Sequence, residues 1–269
     1  MTSPRFIHLR LHSEYSITDG IVRVGDAVKR AAADAMPALA LTDLGNLFGL
    51  VKFYTGARGK GVKPIAGADV WVANPEVPED SRRLLLLARN RAGYLQLCEL
   101  LTRAYLVEGR RDKAEIRREW LVEVGSDGLI ALSGAHLGDV GEALANGNFD
   151  LAAERARAWE ALFPGAFYLE IQRYGQPQQE TVVQATADLA GELGLPLVAT
   201  HPVQFLSRDD FRAHEARVCI AEGYVLGDTR RPRPYTEEQY FKSQAEMAEL
   251  FADLPEALEN SVEIARRCN

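Results

Sequence analysis

Seven short apolar runs, separated by stretches of helical periodicity, constrain the fold of this chain more than any other feature. They are Phe6–Arg10, Ala38–Thr42, Pro64–Val72, Arg83–Ala88, Gly128–Ser133, Phe167–Ile171 and Pro196–Thr200. Several are apolar almost throughout, the pattern of parallel strands buried on both faces. Between them, Val24, Val28, Ala31 and Ala35 recur at helical spacing, as do Val182, Ala185, Leu189 and Leu193. Pro37 stops the first helical stretch just before a strand; Gly194 and Pro196 do the same for the second. This alternation predicts a β/α architecture with a parallel sheet or barrel, one strand short of a TIM barrel.

After His201 the pattern changes. Phe211–Ala221, Ser243–Phe251 and Pro255–Arg267 read as helices, with Ser243 as a candidate cap. Gly227–Pro234 reads as a polar, proline-containing loop. The expected organisation is one domain over 1–269, with a barrel core over 1–205 and a helical C-terminal extension over 206–269.

Composition narrows the function. With 269 residues, 47% of them hydrophobic, the chain can bury one large core. A net charge of −7 argues against holding nucleic acid by bulk electrostatics, although another segment could supply the positive charge. Cys98, Cys219 and Cys268 are odd in number and widely spaced, which favours a reducing cytoplasm over a disulfide framework. Met1–Arg5 lacks a signal-peptide core, and no apolar run approaches the roughly 20 residues that span a bilayer. A cytoplasmic protein with no membrane contact is expected.

Polar residues at strand ends are the candidates for chemistry, since β/α barrels place function there. His12 and Asp19 follow the first run, Asp43 ends the second, Asp69 lies in the third, and His136 and His201 follow later ones. Converging imidazoles and carboxylates make cation sites. Each also has a plainer reading: Asp43 before Gly45-Asn46 suits a turn, and lone histidines such as His136 and His214 are commonly surface or hydrogen-bonded residues. His8-Leu9-Arg10-Leu11-His12-Ser13 has the form of a His-x-His-Ser strand end with Arg10 in the first position. Thr42-Asp43-Leu44-Gly45 has the form of a Thr-Asp-His-Gly turn with Leu44 for the histidine. No Gly-rich phosphate loop, HExxH helix or GxSxG elbow is present.

Phe6–Ser16, Ala38–Asp43, Gly49–Tyr54, Lys63–Asp69, Gly128–Gly134, Phe167–Gln172, Leu197–Thr200 and Phe251–Asn269 together resemble the PHP (polymerase and histidinol phosphatase) domain. The version they resemble opens the alpha subunit of bacterial replicative DNA polymerase III. The resemblance covers essentially the whole chain and suggests an excised N-terminal domain. It implies a distorted seven-stranded β/α barrel with a metal cleft, which in some members hydrolyses phosphoesters. In that register His12 and Asp19 keep ligand positions, and Asp69 stands one methylene short of a glutamate. Arg10, Leu44, Arg83, Ala135, Pro202 and Gln204 occupy the other ligand positions. Recruitment of the adjacent His136 and His201 is disfavoured, because Cβ directions alternate along a strand.

The expectation is therefore a metal-free, salt-bridged cleft formed by Arg10, His12, Asp19, Asp43, Asp69 and Arg83. It has no catalytic residue and no cofactor, residual Zn²⁺ or Mn²⁺ is disfavoured, and an anion contact is possible at Arg10, His12 and Arg83. By resemblance, such a domain is a structural module that docks the proofreading exonuclease (epsilon) subunit and supports the remainder of the alpha chain in DNA replication. The alternative is a residual metal-dependent 3′–5′ exonuclease or phosphoesterase. DNA-directed DNA polymerase activity, a Mg²⁺-dependent nucleotidyltransferase reaction, and DNA contact itself would belong to the parent chain. Two surfaces are equally open for docking: the helix around Thr102, Arg103 and Tyr105, and the Arg230–Arg233 loop.

Overall fold

The computed structural model describes residues 5–74, 77, 80–107 and 113–269, which leaves Met1–Pro4 of the N-terminal reading outside the described residues. The strands are β1 (Ala38–Leu41), β2 (Lys63–Val72), β3 (Arg82–Ala88), β4 (Glu115–Ile116), β5 (Leu129–Leu132), β6 (Phe167–Ile171) and β7 (Leu197–Ala199). They form one curled sheet in the order β1-β2-β3-β5-β6-β7, with β4 beside the end of β2. Around it lie α1 (Val24–Ala33), α2 (Leu50–Gly59), α3 (Arg91–Leu106), α4 (Arg118–Val124), α5 (Asp139–Ala145), α6 (Phe149–Leu162) and α7 (Gln179–Leu193). This is the distorted β/α barrel expected from the sequence.

Two details differ from expectation. Phe6–Arg10 is extended but forms no ladder. Together with Leu11 and His12, which follow it, it reaches β1 and the chain after β7 by single bonds: Ala40 N–H donates to His8 O at 2.9 Å, Thr42 N–H to Leu11 O at 3.1 Å, and His12 N–H to Val203 O at 3.0 Å. So few bonds to each neighbour give no continuous pairing; the segment lies between β1 and the chain after β7 without adding a strand. The second difference is that β3 runs antiparallel to both β2 and β5. No described helix lies between β2 and β3, and a parallel return needs a long crossover. Elsewhere the crossovers are helical and the pairings parallel, with α2 between β1 and β2 and α7 between β6 and β7. The reversal has a functional consequence. It brings Arg83, near the start of β3, to the barrel end where the parallel strands finish, opposite Trp71 and near Asp69.

Helix ends follow local chemistry. Helix α1 stops at Ala33, and Ala35 lies beyond it, exposed, at φ +52. Gly194 caps α7 at φ +64, a left-handed conformation that suits glycine. Val182 and Leu193 are half-buried, while Val183, Thr186 and Leu189 form the buried face of α7.

The C-terminal segment is helical, as expected, and packs into the same core. It contains α8 (Phe211–Glu222), α9 (Gln244–Leu250) and α10 (Pro255–Arg267). Phe241, Met247, Phe251 and Ile264 belong to the barrel's hydrophobic cluster; each such side chain contributes about 1.5–3 kcal/mol when fully buried. Ser261 on α10 accepts the Ile7 amide at 3.0 Å, and Asn260 donates to Leu197 O at 2.7 Å, so the last helix locks the first segment and β7.

Candidate functional site: a buried arginine–carboxylate cluster

The site lies at the barrel end where β2 and β6 finish. Asp69 on β2 is its centre. One carboxylate oxygen, Oδ2, accepts from Arg10 Nη1, from Arg83 Nη2 at 2.5 Å and from His12 Nε2 at 3.1 Å. All four side chains are buried. Burial works against the Asp69 charge, but Arg10 and Arg83, aided by the His12 bond, hold its carboxyl well below the usual carboxylate range.

Glu170 on β6 completes the cluster. Arg10 Nε and Nη2 each lie 2.9 Å from a different Glu170 oxygen. Glu170 also accepts from Gly134 N–H at 3.0 Å, Gln172 Nε2 at 3.1 Å and the Thr200 hydroxyl. Gly134 reaches it at φ +81, and a Cβ there would lie 2.3 Å from Arg83 O, so this turn requires glycine. Burial disfavours the Arg10 charge, but Asp69 and Glu170 outweigh it and raise its pKa above the ordinary value.

His12 links Asp69 to Asp19. Its Nδ1 sits 3.0 Å from both Asp19 oxygens. Both ring nitrogens therefore face carboxylates, the geometry of an imidazolium donating twice. Burial alone would lower its pKa; Asp19 and Asp69 overcome that and push it up to about 9. Asp19 is held in turn by His214, whose Nε2 lies 2.7 Å from the Asp19 carbonyl oxygen. Arg10, Arg83 and His12 thus balance Asp69, Glu170 and Asp19, three positive against three negative.

Of the expected site residues, Arg10, His12, Asp19, Asp69 and Arg83 come together. The three cations considered for an anion contact converge on the chain's own anion, Asp69. Asp43 stands apart in a turn: it accepts from Ser13 N–H at 2.7 Å and from the Ser13 and Ser16 hydroxyls at 2.9 Å. Burial raises its pKa above the ordinary value. Its carboxylate thus fastens the Ser13–Ser16 segment to the end of β1. His136 meets the Tyr174 hydroxyl at 2.8 Å, and His201 is buried beside His8 with ring centroids 6.2 Å apart.

Glu170 was missed as a site residue, although its signal is visible: one charge inside the apolar run Phe167–Ile171, where an interior carboxylate needs a partner. His214 carries no comparable signal. Among the described residues, no group of three or more His, Cys, Asp or Glu is arranged to hold a metal ion. Among them also, no helix is long and apolar enough to cross a membrane.

The barrel with this cluster at its strand ends places the chain in a class, and comparison bears it out: the PHP domain matches residues 8–174, and the chain belongs to that family. The more particular likeness is to the alpha subunit of DNA polymerase III, whose N-terminal 22–24% the chain matches at 48–55% identity. The subunit from Neisseria meningitidis serogroup A is 55% identical over 271 residues, covering 100% of this chain and 24% of that protein. The subunit from Escherichia coli K12 is 48% identical over 269 residues, covering 100% of this chain and 23% of that protein. The chain thus spans about a quarter of the length of these relatives. Among solved structures, an amidohydrolase from Chromobacterium violaceum with bound sulfate and no metal is 18% identical. It covers 78% of this chain and 96% of that one, at a TM-score of 0.47.

Proposed function

We propose that this barrel is a non-hydrolytic structural and docking module of a replicative DNA polymerase alpha subunit. In it, an arginine–carboxylate cluster stands where other family members hold metal ions. The observation that carries this reading is the meeting of Arg10 and Arg83 on Asp69. Guanidinium groups do not deprotonate in proteins, so two permanent cations occupy the centre of the site. His12 has both ring nitrogens engaged by carboxylates, Asp19 at Nδ1 and Asp69 at Nε2. The residues present therefore do not fit a metal cluster, and without one there is no activated water for phosphoester hydrolysis. A residual exonuclease or phosphoesterase would first have to free His12, Asp19 and Asp69 from this network.

In this reading the module docks the proofreading exonuclease subunit and supports the rest of the alpha chain in the cytoplasm. Mg²⁺-dependent nucleotidyl transfer and DNA contact belong to the remaining three-quarters of such a polymerase. Isothermal titration of the folded chain with a proofreading exonuclease subunit tests the docking role. Saturable heat is expected; its absence at tens of micromolar, roughly −6 kcal/mol of binding free energy, would overturn it.

A further inference from the structure

Helix α2 presents a face that the described residues leave uncovered. Val51, Tyr54 and Arg58 follow at spacings of three and four, so they line one stripe. Val51 is 80% exposed, Tyr54 49%, and Phe48, just before the N-cap Gly49, 61%. The opposite face, with Phe53 and Ala57, is buried and anchors the helix. The turn that carries Ile17, also exposed, is tied to the same helix start. Lys52 pairs with Glu14 at 3.0 Å, and Asn46 Nδ2 donates to the Tyr15 carbonyl at 3.0 Å. Single exposed apolar residues need no explanation, but several on one face mark an interaction site.

Charge says what kind of partner fits. From Leu44 to Ala68 the chain carries Lys52, Arg58, Lys60 and Lys63 and no Asp or Glu, within a chain of net −7. Lys52 is paired with Glu14 and Lys63 donates to Ala265 O. Arg58 and Lys60 are exposed. Arg58 lies over the Tyr54 ring, 5.6 Å from its centroid, and its Nη1 donates to the Tyr54 hydroxyl at 3.2 Å, holding the cation beside the apolar stripe. Phe48 and Tyr54 have rings on which a base could stack, but Arg58 already lies over the Tyr54 ring, and two exposed cations in an acidic chain are few for a phosphate polymer. They suit a short protein segment.

We propose that the Phe48–Val51–Tyr54 face of α2 docks an acidic segment of a partner protein, its apolar side chains against Val51 and Tyr54 and its carboxylates toward Arg58 and Lys60. This rests on the docking role proposed above and assigns it a surface.

The test titrates a purified proofreading exonuclease subunit into the chain and into three variants: Val51→Glu, the double charge reversal Arg58→Glu/Lys60→Glu, and Ile220→Glu on the exposed face of α8. Circular dichroism and melting confirm that each is folded, which is expected because the substituted side chains are exposed. Val51→Glu should weaken binding on the order of tenfold or more. The charge reversal should weaken it several-fold, by an amount that shrinks as salt rises. Ile220→Glu should bind like the parent. Parent-like binding by Val51→Glu overturns the surface assignment and leaves the docking role standing. No binding by the parent chain overturns the docking role and this assignment with it. Labelled oligo-dT that binds the parent and is released by Val51→Glu, followed by anisotropy, would make the occupant nucleic acid and overturn the proposal.

Discussion

Arg10 and Glu170, 160 residues apart in sequence, meet as a two-pronged pair inside the barrel. Glu170 takes further donors from Gly134, Gln172 and Thr200, and Arg10 takes a second acceptor in Asp69. A buried ion pair is tolerated when its remaining donors and acceptors are satisfied; breaking one partner is the costly event. Arg10→Met should therefore destabilise the fold by about 3–5 kcal/mol. Urea denaturation measures this. The Arg10→Met/Glu170→Met double variant should lose less than the sum of the two single variants, because neither charge is then left alone. Additive losses would show the pair to be uncoupled.

Asp69 sets the protonation of its neighbours. Asp69→Asn removes the anion that Arg10, Arg83 and His12 share. The His12 pKa, about 9 in the parent, should then fall. NMR titration of the His12 ring reads the shift directly. An unchanged titration would mean that Asp19 alone holds the imidazolium.

Stability should depend on pH from both sides. His12 is raised to about 9, so its contribution is fully present below its unfolded value of 6.5 and is lost as pH rises from 6.5 through about 9. Burial lowers His8 and His136 to about 4, so their contribution is present above 6.5 and is lost as pH falls from 6.5 to about 4. Burial lowers His201 and His214 in the same direction. Urea midpoints between acid and alkaline pH should peak near 6.5, and His12→Gln should flatten the alkaline limb. A parent profile with no alkaline loss contradicts the imidazolium assignment.

Much of this was legible in the sequence because it is local. Apolar runs marked all the strands but the two-residue β4, and Ser243, Gly194 and Pro255 marked helix ends. Arg10 and Arg83 stood out only through the family resemblance, which implies ligand positions there. What was hidden is non-local. The reversal of β3 depends on which strand it meets, since its own residues alternate the same way in either direction. Arg10's second partner, Glu170, lies in β6; the apolar run around Glu170 shows that the carboxylate needs a partner, but nothing near either residue encodes which one. The first segment reads as a strand by composition, yet it divides its hydrogen bonds between two neighbours and builds no ladder.

The extension is tied down by capping chemistry that can be measured alone. Ser243 accepts the Glu246 amide at 3.2 Å while the Glu246 carboxylate accepts the Ser243 amide at 2.7 Å, a reciprocal capping box at the start of α9. Ser243→Ala should cost about 1 kcal/mol, seen as a lowered melting temperature. No shift would mean that α9 is held by packing alone.

The central claim is that the chain's own charges occupy the place of a metal cluster. Metal analysis tests it most directly: chelator-washed protein is reloaded with Zn²⁺ or Mn²⁺, dialysed, and assayed for bound metal and phosphoester hydrolysis. The account predicts no retained metal and no chelator-sensitive hydrolysis. Stoichiometric metal together with chelator-sensitive activity would contradict it.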